Sequence, residues 1–66
     1  MRIVVNGNER EAPEDCGLLD LLKTLGLKPE ATVAERNGTV IARGEYCDTK
    51  LAEGDILELI RFVGGG

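Results

Sequence analysis

Two Asn-Gly pairs, Asn6-Gly7 in "RIVVNGNEREA" and Asn37-Gly38 in "TVAERNGTVIARGEY", constrain this chain more than any other feature. Each interrupts a run of strand-forming residues. Both members of such a pair tolerate positive φ, as a two-residue type I′ turn between antiparallel strands requires. The first pair therefore predicts a hairpin with Met1 to Val5 against Asn8 to Ala12, and the second predicts another strand-turn-strand unit.

Pro13 ends the first hairpin. The segment "EDCGLLDLLKTLGL" then places leucines at 18, 19, 21, 22 and 25, a helical rather than a strand spacing. Gly17 is positioned as N-cap, Asp20 stands at the third helical position near the positive end of the dipole, and Gly26 stops the helix. After the second Asn-Gly unit, "RGEYCDTKLAEGD" is polar and carries turn signals, including a short helical turn and a positive-φ turn at Gly54. The longest strand candidate, "DILELIRFV", runs straight into Gly64, Gly65 and Gly66.

Two hairpin-like units flanking one helix, with a final strand, predict an α+β layer structure. A mixed four- to five-stranded sheet would carry one main helix across one face and leave the other face uncovered. Residues 1–63 form the domain in this reading, and residues 64–66 a flexible glycine tail. Period-two alternation sets Ile3, Val5, Leu57 and Leu59 on one side of the sheet, and Val4, Ile60 and Phe62 on the other. Alternation alone leaves two readings of the second set. It is either ordinary core or an exposed apolar docking patch at the root of the tail, of the kind that marks protein partner sites.

With 66 residues, the chain falls below the roughly 70–80 at which one apolar core supplies more than about 3–5 kcal/mol, so no deep cleft is expected. Its 42% hydrophobic and 30% charged residues fit a folded domain rather than a disordered one. The net charge of −4, with no block of Lys or Arg, argues against nucleic acid and for a basic partner surface. No apolar run approaches the roughly 20 residues of a membrane helix. The start "MRIVV" lacks signal-peptide features, and a cytoplasmic location is expected.

The chain has no histidine and no serine, and none of the usual nucleophile or phosphate-binding motifs, so catalysis by this chain alone is not expected. Cys16 and Cys47 are far apart, without a CxxC or a metal-ligand spacing, which predicts free thiols acting as small half-buried hydrophobes; a disulfide or a sulfur-handling role is the other reading. The distinctive chemical group left is the carboxylate of Gly66, with a reference pKa of about 3.3–3.7. It becomes an acyl donor only after activation, for which attack on the α-phosphate of ATP is the general route. Glycines lack a Cβ and can thread a narrow channel to a partner's nucleotide. A frayed terminus is the bland alternative.

The order of these elements resembles the ThiS family, the sulfur carriers of thiamin biosynthesis, which are small ubiquitin-like β-grasp proteins. The likeness is carried by "VNG" at 5–7 in order with "LLKTLGL" at 21–27, "VAERNGTVIARGEY" at 33–46 and "LAEGDILELIRFVGGG" at 51–66. It implies a carrier cycle. A ThiF-type adenylating enzyme, using ATP and Mg, would activate Gly66, and a persulfide sulfur donor would displace AMP to leave a C-terminal thiocarboxylate. The thiazole synthase, ThiG, would then take the sulfur. Gly65 and Gly64 would enter the partner's active site, and Val4, Ile60 and Phe62 would dock. No metal or stably bound cofactor belongs to the carrier itself. Related readings are the small subunit of molybdopterin synthase, a carrier for cysteine or tRNA thiolation, and a purely non-covalent β-grasp interaction module. Where relatives often have threonine or serine before the helix, this chain has Cys16 and Gly17, which predicts a weaker cap.

Overall fold

The computed structural model describes residues 1–62. The expected glycine tail at Gly64, Gly65 and Gly66, and the domain boundary after residue 63, lie outside the described residues. The chain forms β1 (Arg2–Val5), β2 (Asn8–Glu11), α1 (Leu18–Thr24), a 3₁₀ turn (Pro29–Ala31), β3 (Thr32–Arg36), β4 (Thr39–Val40), a second 3₁₀ turn (Arg43–Asp48) and β5 (Ile56–Arg61). The sheet order is β2-β1-β5-β3-β4. β5 lies parallel to β1 and antiparallel to β3. This is the expected mixed sheet, with all five strands present.

Both Asn-Gly turns take the predicted form. Asn6 and Gly7 have φ of 50° and 83°, and Asn37 and Gly38 have 52° and 86°. The first hairpin pairs Arg2 with Glu11 and Val5 with Asn8, and at its open end Met1 and Ala12 exchange hydrogen bonds at 2.6 and 2.8 Å, as the sequence indicates. The second is truncated, because β4 leaves the sheet after Val40.

Tyr46 occupies the place β4 vacates. Its buried hydroxyl donates to the Thr32 carbonyl at 2.8 Å and accepts the Ala34 amide at 3.1 Å, satisfying the outer edge of β3. Without it, the Ala34 amide would lose its partner and the Thr32 carbonyl would keep only the longer Arg43 contact at 3.4 Å, a desolvation cost that sheet edges are built to avoid.

The helix packs across one face of the sheet. Leu18, Leu21 and Leu22 meet Ile3, Val5, Ala34, Leu57 and Leu59 in one core. Ile3, Leu18, Leu22 and Leu57 are fully buried, and each such side chain contributes about 1.5–3 kcal/mol relative to exposure. The helix ends in a Schellman motif, with Gly26 at φ 73° and the Leu27 amide donating to the Leu22 carbonyl at 2.8 Å.

At its start the helix lacks a capping hydroxyl, and the geometry supplies a reason. A Cβ on Gly17 would come within 3.2 Å of the Thr49 carbonyl oxygen. That same oxygen accepts the Leu18 amide at 2.9 Å, so a neighbouring segment caps the helix in place of a side chain. Asp20 returns one carboxylate oxygen to the Gly17 amide at 3.1 Å. The cap expected to be weak is thus built from tertiary contacts.

Candidate functional site

β5 is the last strand among the described residues. Two turn asparagines hold it from opposite flanks. On the β1 side, Asn6 accepts the Leu59 amide at 2.8 Å and donates to the Leu59 carbonyl at 3.2 Å. On the β3 side, Asn37 accepts the Ile56 amide at 2.9 Å and donates to Asp55 at 3.2 Å. Asp55 is buried and also accepts from the Ala52 amide at 2.8 Å and Arg36 at 2.9 Å. Burial pushes the Asp55 carboxyl up, but the Ala52, Asn37 and Arg36 donors outweigh it and hold the group below its ordinary range. The sequence marked both asparagines only as turn formers. Their side-chain roles depend on β5, which is distant in sequence.

The sheet face away from the helix is open. Ile60 and Phe62 are 51% and 56% exposed, which decides between the two readings of alternation in favour of an outward patch. Val4 is half-buried on the same face, opposite Ile56 in the parallel β1–β5 register. Two apolar members went unpredicted, Ile56 at 53% and Val40 at 60% exposure. Period-two counting back from Ile60 would have found Ile56. Val40 needs the register of β4, where it faces Glu35. The Phe62 amide donates to the Ala31 carbonyl at 2.8 Å, anchoring the last described residue beside this patch.

Charges rim and interrupt the face. Arg2 reaches Glu9 at 2.7 Å and Glu11 at 3.5 Å across the first hairpin. Glu35 and Glu58 stand directly opposite one another in the β3–β5 register, between the Val33–Ile60 pair and the end of β5 that carries Ile56. Neither is ion-paired among the described residues.

Among the described residues no group of three His, Cys, Asp or Glu side chains could hold a metal ion, and no helix is long and apolar enough to cross a membrane. Both cysteines are free. Cys16 is buried, its thiol pushed up by that burial and by the Asp20 charge, and it fits the small-hydrophobe reading. Cys47 is exposed, which corrects the expectation that both would be half-buried. It lies on the second 3₁₀ turn, whose inward contact is made by Tyr46.

A mixed sheet of this order with one helix laid across it, and an apolar open face, defines a ubiquitin-like β-grasp domain. The chain belongs to the ThiS family, whose sequence profile matches residues 3–66. The sulfur carrier protein ThiS of Bacillus subtilis is 33% identical over 63 residues, covering 94% of this chain and 96% of that protein. The crystal structure of the thiamine biosynthesis protein ThiS from Geobacter metallireducens superposes with a TM-score of 0.83 at 32% identity, over all of both chains. Thiazole synthases of Magnetococcus marinus and Paramagnetospirillum magneticum contain a segment 41% and 33% identical to all 66 residues. The chain spans about a fifth of the length of those two synthases, 20% in each case.

Proposed function

We infer that this domain is a sulfur carrier of thiamin biosynthesis and acts in the cytoplasm as a protein co-substrate rather than a catalyst. The observation that carries the reading is the near end-to-end match with a sulfur carrier of the same size, in a family whose profile extends through Gly66. In this reading the Gly66 carboxylate attacks the α-phosphate of ATP in a ThiF-type adenylating enzyme that holds Mg. Pyrophosphate leaves, and an acyl-adenylate remains. The terminal sulfur of a cysteine-derived persulfide then displaces AMP, and a thiol cleaves the resulting acyl disulfide to leave the thiocarboxylate.

The residues of this chain contribute placement. Val4, Ile60 and Phe62, joined by Ile56 and Val40, form the docking face, and Gly64 and Gly65 pass into the partner's active site. Ordering each backbone residue of the tail costs about 1–2 kcal/mol, and the apolar face is the available source of compensating binding energy. Thiazole synthase is the recipient this reading favours, since two proteins of that name contain a segment like this chain.

Intact-protein mass spectrometry tests the reading. The 66-residue chain is incubated with a ThiF-type enzyme, ATP, Mg, a persulfide source and a thiol, beside a chain truncated after Gly64. The expected result is a mass gain equal to sulfur replacing oxygen, located at Gly66 and missing from the truncated chain. Absence of both adenylate and thiocarboxylate with a demonstrably active enzyme would leave a non-covalent interaction module.

A further inference from the structure

Glu35 and Glu58 are costly where they stand. Carboxylates directly opposite on one face of antiparallel strands weaken the pairing they sit on. Their surroundings are apolar: Val33 and Ile60 oppose one another on one side, Ile56 lies on the other, and Val40 faces Glu35 from β4. The same face shows how two glutamates are neutralised, because Arg2 reaches both Glu9 and Glu11. Among the described residues, no ion pair serves Glu35 or Glu58 in that way.

A partner that covers Ile56 and Ile60 also covers the carboxylates between them. Burying two like charges without compensation is strongly unfavourable, so a surface that fits this face must bring positive charge with it. A guanidinium is the best match, since its planar fork can donate to two carboxylates at once.

We propose that Glu35 and Glu58 form a two-carboxylate clamp for one arginine or lysine side chain of the thiazole synthase that receives this carrier. The proposal rests on the sulfur-carrier reading for its partner. The clamp accounts for a like-charge pair that weakens the free domain: the repulsion is relieved only in the complex, where the shared cation sits between the strands on an apolar rim.

The test is calorimetric titration of a thiazole synthase with the full-length chain and its E35Q, E58Q, E35Q/E58Q, I60D and E45Q variants, each also melted alone. The clamp predicts that E35Q and E58Q each weaken binding about ten-fold or more, with the double variant little worse than either because one cation is shared. Free of the partner, the same variants should melt about 1–5 °C higher, since repulsion is removed. The glutamine pair should also lose most of the salt dependence of binding, and E45Q, on the second 3₁₀ turn, should bind as the parent does. Binding by E35Q and E58Q within two-fold of the parent, with I60D abolishing it, would overturn the clamp while leaving the docking face standing. Weaker binding accompanied by a lower melting point would overturn it too, making the carboxylates structural. If I60D binds like the parent, or the parent does not bind, the docking reading fails along with the clamp.

Discussion

Asn6 is paired with Leu59 as though it were a strand residue: its side-chain amide accepts the Leu59 N–H at 2.8 Å and donates to the Leu59 carbonyl at 3.2 Å. The turn that ends β1 thus continues the ladder on β5 with a side chain after the backbone has departed. Asn6 also holds φ 50°, a region Asn tolerates better than most residues.

Asn6→Ala removes both bonds and places alanine in a left-handed conformation, so a loss of about 1–3 kcal/mol is expected. Asn6→Asp keeps the acceptor for the Leu59 amide but sets a carboxylate oxygen against the Leu59 carbonyl in place of the donor, so it recovers only part of the loss. Urea unfolding should therefore rank the parent above Asp, and Asp above Ala. Equal midpoints for Asp and Ala would mean that the Leu59 amide finds another partner.

Tyr46→Phe separates the hydroxyl from the ring. The ring keeps its place in the core, while the Thr32 carbonyl and Ala34 amide lose a partner they meet at 2.8 and 3.1 Å. About 1–3 kcal/mol of stability should be lost, and amide exchange at Ala34 should accelerate more than at Leu57 in the sheet centre.

What the sequence disclosed was what local chemistry decides. Asn-Gly turns, leucine spacing and strand alternation indicated a sheet of four to five strands, the helix and the burial of Ile3, Val5, Leu57 and Leu59, and the structure has five strands. Once the helix is taken to cover those four, Ile60 and Phe62 fall on the open face. What it did not disclose depends on residues far apart in the chain: Asn6 meeting β5, Tyr46 replacing a strand, and Thr49 capping the helix. The Glu35–Glu58 opposition required the β3–β5 register, which no single segment specifies. Cys47 was misjudged because a 3₁₀ turn with Tyr46 facing in sends its neighbour out to solvent.

Asp55 supplies the pH dependence. Its folded-state value lies below the unfolded one of about 3.9. Its contribution is therefore fully present above that value, and is lost as pH falls through the unfolded value and then the lower folded one. Asp55→Asn keeps the shape and removes the charge that Arg36 meets at 2.9 Å. The variant should be less stable at pH 7, and the gap to the parent should close as pH falls below about 4. Denaturant midpoints at pH 7, 5, 4 and 3 would show it; a gap constant across that range would assign the cost to geometry instead of ionisation.

Gly65→Val separates folding from function. Among the described residues the buried core ends at Leu59, so the melting temperature of the variant is expected to equal that of the parent. Chemistry should not survive equally well. A β-branched side chain one residue before the reacting carboxylate widens the tail and removes the conformations available to glycine, and misplacing a reacting group by about 1 Å can cost about a hundred-fold in rate. Pyrophosphate exchange by a ThiF-type enzyme should fall by about that factor for Gly65→Val and by less for Gly65→Ala, with docking affinity little changed because Ile56, Ile60 and Phe62 are intact. Exchange at the parent rate would mean that the channel accepts a branched side chain, and the tail's glycines would then need another explanation.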